Sequence, residues 1–242
     1  EYVGVRGVEL PITVASENGI QPSVAQIGMY VALPGEHKGT HMSRFLGLLK
    51  EHEKPLCKKT LIELMHSMLA ALESNAGSID FDFPFFVKKL APVSKLECLM
   101  NYHVHYRVEH KNGRTTVTQT VTVPVTSLCP CSKEISNYGA HNQRSHVTIS
   151  ARLKGDLSLE RQIRYAEQSA SCELWSRLKR VDEKYVTEKA YENPKFVEDL
   201  VRDVAVALNG DQNIEAYRVQ AENFESIHNH SAYAQITKGF DD

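Results

Sequence analysis

The sequence predicts an α+β protein made of two tandem ββααββ modules, with an antiparallel sheet and helices packed on one face. Segments rich in β-branched and aromatic residues alternate along the chain, and segments with helical spacing occur in two groups. The order of elements repeats after a hairpin turn at Asn112-Gly113, although no repeat of residues is visible. We therefore predict a single bimodular domain over residues 1–242, with modules of about 1–111 and 112–242.

The first module contains four predicted strands and two predicted helices. Its strands are indicated by runs of β-branched and aromatic residues, and they span residues 3–14, 23–33, 79–88 and 97–109. The first helix begins after Thr40, a suitable N-cap, and shows apolar residues at helical spacing up to Leu49. The second helix covers residues 58–73 and ends near Gly77.

A hairpin leads into the second module. The sequence His110-Lys111-Asn112-Gly113 is typical of a tight turn, and the strand after it carries valines at positions 117, 121, 123 and 125. A long helix is predicted over about residues 158–180, and a last helix begins at Asn193-Pro194. The remaining predicted strands span residues 146–153, 214–221 and 231–237. Exposed edge strands in such a sheet predict closure by oligomerisation.

Composition and charge narrow the class of function. The chain has 242 residues, of which 42% are hydrophobic, and a net charge of −2. These values suit a globular protein and give no support for binding to nucleic acid or to a membrane surface. No stretch approaches the roughly 18 apolar residues of a membrane span. Five cysteines, an odd number in a chain too long to need disulfides, predict reduced thiols and a cytoplasmic location.

The loop after the hairpin strand concentrates metal-binding chemistry. Cys129 and Cys131 are separated by a single proline, and no second cysteine pair exists to complete a closed structural zinc site. A thiolate, an imidazole and open positions describe a catalytic metal site. His141 is favoured as the imidazole ligand, because His146 falls on the strand face opposite Val147. Alternatively, the two cysteines only pack at the strand end as small apolar residues.

Three further segments contain candidate binding residues. Glu198 lies at the edge of the apolar stripe of the last helix, where its carboxylate either stays solvated or accepts the N1–H and 2-amino donors of guanine. Glu225 and His228 belong to a polar stretch that is either a simple turn or a place for metal contact and proton transfer. The basic start of the first helix is a weak phosphate-binding signal, and its residues are Lys38, His41 and Arg44.

Five long segments together resemble a known family. In chain order they are KGTHMSRF, TSLCPCSKEIS, GAHNQRSHVT, KRVDEKYVTEKAYENPKFVEDLVRD and ENFESIHNHSAYA. They are similar to type IB GTP cyclohydrolase I, a prokaryotic family of the tunnelling-fold superfamily, and the resemblance extends over about residues 3–233. It implies two ββααββ modules per chain and a homotetramer with active sites at subunit interfaces. It also implies that GTP is converted to 7,8-dihydroneopterin triphosphate with loss of formate, the first step towards tetrahydrofolate and some modified bases.

The resemblance also implies a metal site. A divalent ion would be held by Cys129, His141 and Glu183, with manganese expected and zinc or iron as the other ions. The local sequence does not distinguish Glu183 from Glu188 as the carboxylate ligand. This assignment leaves the thiol of Cys131 facing the substrate.

Roles for substrate-binding residues follow from the same resemblance. Glu198 would anchor guanine, and Glu225 would lie in the same pocket. Cys129, Cys131 and His228 would form the catalytic group, with proton transfer assigned to Cys131 or His228. The triphosphate would lie on a basic rim formed by Lys38, His41 and Arg44, with Lys133 or Arg144 as further members.

Two other functions fit parts of the sequence. A metal-dependent purine- or pterin-binding or deaminating enzyme would use similar residues, but zinc deaminases combine H-x-E with P-C-x-x-C. Here the two cysteines are one residue apart and His141 is not followed by x-Glu. A binding or assembly protein with a purely structural Cys/His loop is the other alternative. Release of formate rather than ammonia, and loss of activity rather than unfolding on metal removal, would separate these functions.

Overall fold

A computed structural model describes residues 2–33 and 41–240. Within them the chain forms nine strands and six helices. The strands are β1 (Tyr2–Ser16), β2 (Gly19–Ala32), β3 (Gly77–Leu90), β4 (Glu97–Lys111), β5 (Arg114–Leu128), β6 (Asn142–Leu153), β7 (Cys172–Glu173), β8 (Ile214–Asn223) and β9 (Ala232–Lys238). The helices are α1 (Met42–Glu51), α2 (Lys58–Ala71), α3 (Pro130–Ile135), α4 (Leu159–Ser169), α5 (Arg180–Glu192) and α6 (Val197–Asn209).

All nine strands belong to one antiparallel sheet. Eight of them follow the order β1-β2-β3-β4-β5-β6-β8-β9, and β7 pairs separately with β5. The β4–β5 hairpin turns at Asn112 and Gly113, whose φ angles of 52° and 74° are the positive values that a type I′ turn requires. β4 pairs with β5 only as far as His103 opposite Thr122. Beyond that point β4 no longer pairs with β5, and β7 pairs with this edge of β5 instead.

Strand alternation decides which side chains meet the helices. On β5 the odd-numbered residues are buried from Val117 to Ser127, whereas Thr118 and Thr120 on the other face are partly exposed. The buried Gln119 donates to the Gln162 side chain of α4 at 2.7 Å, so this is the helix-covered face. Each fully buried valine on this face stabilises the fold by about 1.5–3 kcal/mol. In β6 and in the second half of β8 the buried residues are also the odd-numbered ones.

The predicted fold class is wrong, because the chain does not divide into two ββααββ modules. The structure is dominated by its single nine-stranded sheet, with two helices between β2 and β3 and four between β5 and β8. The second half therefore contains two helices and one strand more than the prediction. None of the described helices combines the length and apolar character needed to cross a membrane.

The predicted long helix over residues 158–180 accounts for much of this difference. α4 begins where expected, since the Ser158 side chain accepts the N–H of Arg161 at 3.1 Å, but it ends at Ser169. The following residues become extended because β7 pairs with the open edge of β5, and Ser171 Oγ accepts the N–H of Leu128 at 3.2 Å. This long-range pairing ends the helix. α5 then forms a separate helix, which the sequence analysis missed.

The other helix predictions are closer to the structure. The helix predicted over residues 58–73 is confirmed as α2, and the helix predicted after Asn193-Pro194 is confirmed as α6. α1 begins at Met42 with His41 at its N-cap. The predicted N-cap Thr40 lies outside the described residues.

Candidate functional site

Cys129 and His141 come to the same end of the sheet. β5 and β6 pair up to Leu128 opposite Asn142, and the next residues in that register are Cys129 and His141. Both residues are odd-numbered, like the residues of β5 and β6 that face the helices. Opposing residues in an antiparallel pair have Cα atoms about 4.5–5.5 Å apart, so the register brings the backbone of Cys129 and that of His141 to neighbouring positions at this end of the sheet. Pro130 at the first position of α3 then turns the chain away from the strand.

The segment after β8 extends the β6–β8 pairing beyond its last ladder residues. The N–H of Phe224 donates to the carbonyl oxygen of Arg144 at 3.0 Å. Glu225 Oε1 accepts from Gln143 Nε2 at 3.1 Å, and Ser226 Oγ lies 2.8 Å from His141 Nδ1. Residues 224–226 are therefore tied in succession to residues 141–144. Glu225 and Ser226 thus lie beside the Cys129–His141 position.

A buried chain of polar side chains fixes the strand ends beneath this position. Ser145 is fully buried, and its hydroxyl bonds to Ser127 Oγ and to Asn223 Oδ1, both at 2.6 Å. The three residues come from β6, β5 and β8. Since an unpaired buried hydroxyl or amide costs about 1–3 kcal/mol, this chain favours one relative position of the three strands. The site therefore has a rigid floor.

The N-terminus of α6 also lies at this end of the sheet. The N–H of Lys195 donates to the carbonyl oxygen of Leu128 at 3.2 Å, one residue before Cys129. Phe196 is the N-cap of α6, and Glu198 lies exposed in its first turn. The structure thus brings Glu198 close to the end of β5.

Three more side chains lie near this end of the sheet, and they differ in exposure and in their contacts: Cys131, His228 and Lys133. Cys131 lies exposed on α3, and His228 lies exposed after β8 with its ring stacked on His230 at 5.0 Å. Lys133 Nζ donates to the carbonyl oxygen of Tyr191 at 2.5 Å and lies 4.3 Å from the centre of its ring. Lys133 is thus engaged with the end of α5, which makes it a poorer candidate for a phosphate contact than a free lysine.

Glu183 is not brought together with Cys129 and His141 within one chain. It lies in the first turn of α5 with its side chain 54% exposed, 3.4 Å from Arg180. α5 contacts Lys133 of α3 at Tyr191, which at 1.5 Å per residue is roughly 12 Å further along the helix axis. Glu188, the alternative carboxylate, forms an ion pair with Lys184 on the same helix.

Asp182 anchors the start of α5. Its carboxylate accepts the backbone N–H groups of Val93, Ser94 and Lys179 at 2.8–2.9 Å and the Ser94 hydroxyl at 2.6 Å. Burial raises the pKa of this carboxyl, but the hydrogen bonds from Ser94, Lys179 and Val93 outweigh it and lower the pKa below the usual aspartate range. Because the folded pKa is the lower one, this stabilisation is present at neutral pH and is lost only in strong acid.

Two of the predicted phosphate-binding residues, His41 and Arg44, lie at the other end of the sheet. Arg44 Nη1 donates to the carbonyl oxygen of Ala71 at the end of α2, close to the start of β3. Through the registers of β3, β4 and β5, that level corresponds to the start of β5. The 15 residues of β5 separate this level from Cys129 by roughly 45 Å. His41 precedes α1 beside Arg44, and Lys38 lies outside the described residues.

The Cys129–His141 pair fits part of a divalent-metal site. Thiolate and imidazole are ligands of transition metal ions. Ser226 lies at hydrogen-bond distance from Nδ1 of His141, and no other described residue is hydrogen-bonded to its Nε2. Among residues 2–33 and 41–240 of a single chain, no group of three or more His, Cys, Asp or Glu side chains is placed to hold a metal ion. The pair therefore needs further ligands from another subunit, from substrate or from water.

Gln143 and Ser226 are site residues that the sequence analysis did not identify. The strand was predicted to begin at His146, because the polar run from Asn142 to Ser145 looks like loop. The structure extends β6 back to Asn142 and buries Gln143 to 7% exposure. Extending the alternation of Val147 and Ile149 backwards would have placed Gln143 on the same face as His141.

Comparisons with known proteins cover nearly the whole chain, including the residues of this site. Residues 1–234 match the family described as type I GTP cyclohydrolase folE2. A protein named GTP cyclohydrolase FolE2 from Herminiimonas arsenicoxydans is 59% identical over 238 residues, covering 98% of this chain and 91% of that protein. Another of the same name from Paraburkholderia xenovorans strain LB400 is 58% identical over 239 residues, covering 98% of this chain and 89% of that protein.

Solved structures with a similar fold have very different sequences. The uricase of Arthrobacter globiformis superposes with a TM-score of 0.55 at 8% identity, covering 100% of this chain and 95% of that chain. The urate oxidase of Bacillus sp. TB-90 gives a TM-score of 0.57 at 8% identity, covering 98% and 100%. At this identity the likeness concerns the fold alone, and it supports the corrected, sheet-dominated description.

Proposed function

This chain belongs to the type I GTP cyclohydrolase family described as folE2, and from that premise we propose how its residues carry out the reaction. It is a GTP cyclohydrolase, a hydrolase of folate biosynthesis. The reaction adds water at C8 of the guanine base, opens the imidazole ring, releases C8 as formate and forms 7,8-dihydroneopterin triphosphate. The observation that carries our residue assignments is the β5–β6 register, which ends directly before Cys129 and directly after His141.

Membership of this family indicates a divalent metal ion as cofactor. We propose that Cys129 and His141 provide two ligands and that Glu183 of a neighbouring subunit provides a third. A divalent ion, when bound, lowers the pKa of a water molecule so that it can attack at neutral pH. We propose manganese as the ion, since a carboxylate ligand suits it, with zinc and iron as the ions that thiolate and imidazole also accept.

Glu198 is the proposed anchor for the guanine base. Its carboxylate has two parallel acceptor oxygens, which match the N1–H and 2-amino donors on one edge of guanine. Gripping that edge directs the opposite edge, with C8, towards Cys129 and His141. The position of Glu198 in the first turn of α6, just beyond the contact of Lys195 with Leu128, supports this arrangement. Glu225, held by Gln143, is the proposed second contact for the substrate.

Proton transfer is assigned to the exposed side chains next to the site. Ring opening requires a proton on the departing purine nitrogen, and a positioned histidine or cysteine can donate it. His228 and Cys131 are the proposed donors, because both are exposed close to the ends of β8 and β5.

His228→Ala should slow the chemical step more than it weakens GTP binding. We expect the single-turnover rate to fall about 100-fold, the lower end for loss of a general acid, while the Kd for GTP changes little. Rapid-quench measurement of formate with enzyme in excess gives the rate directly. His66→Ala is a suitable control, since His66 contacts Thr115 at the opposite end of β5. An unchanged single-turnover rate would remove His228 from the mechanism.

The distances within one chain favour a site shared between subunits. We propose a homotetramer in which Lys38, His41 and Arg44 of one subunit bind the triphosphate of GTP held near Cys129 of another. Two observations support this proposal. Arg44 and Cys129 lie at opposite ends of the sheet, and β1 and β9, the outer strands of the described sheet, each pair on one side only. Unpaired edges of this kind are commonly closed by association.

Mixing two inactive variants tests the shared site. Arg44→Ala should lower kcat/KM for GTP about 10- to 100-fold by removing a charged phosphate contact, and Cys129→Ala should lower it further. If the two residues act from different subunits, random mixed tetramers should contain roughly one quarter fully native sites. Activity should therefore return after the variants are unfolded and refolded together. No recovery in tetramers shown by mass spectrometry to be mixed would place both residues in one subunit.

The function itself is tested by a direct assay. Purified protein is incubated with GTP and Mn²⁺, and formate release and pterin fluorescence are measured together. Equal amounts of both products are expected. Ammonia released without formate would instead indicate a deaminase.

We also propose a cytoplasmic location. All five cysteines are free, and Cys98 and Cys172 are buried thiols. Unpaired cysteines of this number are typical of a reducing compartment. Fractionation of cells followed by detection of the protein would test the location.

A further inference from the structure

Ser226 holds one nitrogen of the proposed metal ligand His141. Its hydroxyl oxygen lies 2.8 Å from Nδ1, a normal hydrogen-bond distance. This contact is independent of the ligand assignment. Within the described part of the chain it is the only side-chain hydrogen bond that either residue forms. It bears on metal binding because a histidine ligand coordinates through one ring nitrogen while the other is fixed by a hydrogen bond.

The direction of this hydrogen bond determines whether His141 can bind a metal. A serine hydroxyl can donate or accept. If Ser226 donates to Nδ1, then Nε2 of a neutral imidazole carries the proton and has no lone pair for a metal ion. If Nδ1–H donates to Ser226, then Nε2 has a free lone pair. Only the second arrangement is compatible with coordination through Nε2.

The surrounding contacts explain why Ser226 is held in place. The preceding residues Phe224 and Glu225 are bonded to Arg144 and Gln143, which belong to β6, the strand that begins directly after His141. The floor beneath them is the buried Ser127–Ser145–Asn223 chain. The chain leading to Ser226 is thus tied to the start of β6 by two successive hydrogen bonds. A side chain fixed in this way can orient the imidazole ring as well as select its tautomer.

We propose that Ser226 is a positioning residue for metal binding, whose hydroxyl accepts the Nδ1 proton of His141 and thereby presents Nε2 towards Cys129. This inference rests on the proposed metal site and adds to it a residue that touches neither metal nor substrate. It requires no change of charge at any group. It predicts that loss of one hydroxyl on the surface of the protein weakens metal binding while the fold is unaffected.

The test is a metal-affinity measurement on the assembled protein without GTP. Mn²⁺ is titrated, and free Mn²⁺ is followed by its electron paramagnetic resonance signal. Ser226→Ala should weaken Mn²⁺ binding about 10- to 100-fold, the usual effect of losing a partner of a metal ligand. Ser226→Thr, which keeps the hydroxyl, should bind Mn²⁺ within about threefold of the native protein. Ser231→Ala, an exposed serine in the same segment, is the matched control and should have native affinity.

A double-mutant cycle separates positioning from a general effect on the loop. In a His141→Ala background, Ser226→Ala should cause no further loss of Mn²⁺ affinity, because the two residues act through one contact. An equal loss in both backgrounds would show that Ser226 acts through the loop and would overturn the proposal. Native affinity in Ser226→Ala would overturn it as well, leaving the metal site intact. Native affinity in His141→Ala would overturn both the metal-ligand assignment and the inference built on it.

Discussion

Cys129→Ala is expected to abolish retention of the metal and, with it, GTP turnover. Cys129 is the proposed thiolate ligand, and the described residues of one chain offer no third histidine, cysteine or carboxylate at the same place. A metal ion held by so few protein ligands from one chain should bind, after the loss of one, too weakly to remain through gel filtration. The fall in metal affinity should exceed the roughly 10- to 100-fold that follows loss of an outer partner. Elemental analysis after gel filtration, together with formate release from GTP, measures both effects.

The controls for this variant use the other cysteines and the stability of the fold. Cys57→Ser should keep both metal and activity, because Cys57 is the N-cap of α2 and serine is a favoured residue there. Thermal unfolding of metal-free Cys129→Ala should match that of metal-free native protein, since Cys129 is only partly buried. Full metal occupancy in Cys129→Ala would exclude ligation by this thiol, whatever its effect on turnover.

Glu198→Gln is expected to reduce kcat/KM for GTP roughly 1,000-fold while the protein remains folded. The substitution replaces one of the two acceptor oxygens by an amide donor, which would face a donor of guanine. Losing one hydrogen bond to a charged group costs about 1.5–3 kcal/mol, and leaving the facing guanine donor unsatisfied costs about 1–3 kcal/mol more, which together correspond to roughly 10²- to 10⁴-fold. The folded state should tolerate the change, since Glu198 is exposed. Steady-state kinetics and circular dichroism measure the two effects.

Asp199→Asn is the matched control for Glu198→Gln. It removes the same charge from the same helical turn, so it has the same effect on the helix dipole. Asp199 is engaged with Arg202 at 3.0 Å, an exposed ion pair of the type that contributes about 0.3–0.5 kcal/mol. Its kcat/KM should therefore stay within a few-fold of the native value. Equal losses in both variants would indicate an effect of helix charge and would refute guanine anchoring by Glu198.

Most strands and three of the helices could be predicted from local sequence. Runs of β-branched and aromatic residues identified β3, β4 and β5, and the Asn112-Gly113 turn identified the β4–β5 hairpin, because these signals depend on neighbouring residues alone. The helix predicted over residues 158–180 failed at Ser169, where pairing of β7 with β5 ends α4. A local pattern contains no information on which edge of a distant strand is open. The prediction of two equal modules failed for the same reason.

The start of β6 shows the same limit at the site itself. Asn142, Gln143, Arg144 and Ser145 have low strand propensity and look like a loop. They form a strand because Gln143 and Ser145 find partners in Glu225, Ser127 and Asn223, which are distant in sequence. Polar residues can be buried at low cost once such partners are present. Gln143 and Ser226 were missed because their partners are visible only in the folded chain.

The sequence by itself determined which chemical groups this protein has: the Cys129 thiol, the His141 imidazole, the Glu198 carboxylate and the order of segments that marks the family. These are properties of residue types and of their spacing, so they can be read without coordinates. Only the tertiary structure decided which of them meet. The β5–β6 register ends directly before Cys129 and directly after His141, whereas Arg44 lies near the opposite end of β5, a strand roughly 45 Å long. A strand is an extended segment of nearly fixed length, and for this reason side chains at its two ends do not meet within one chain.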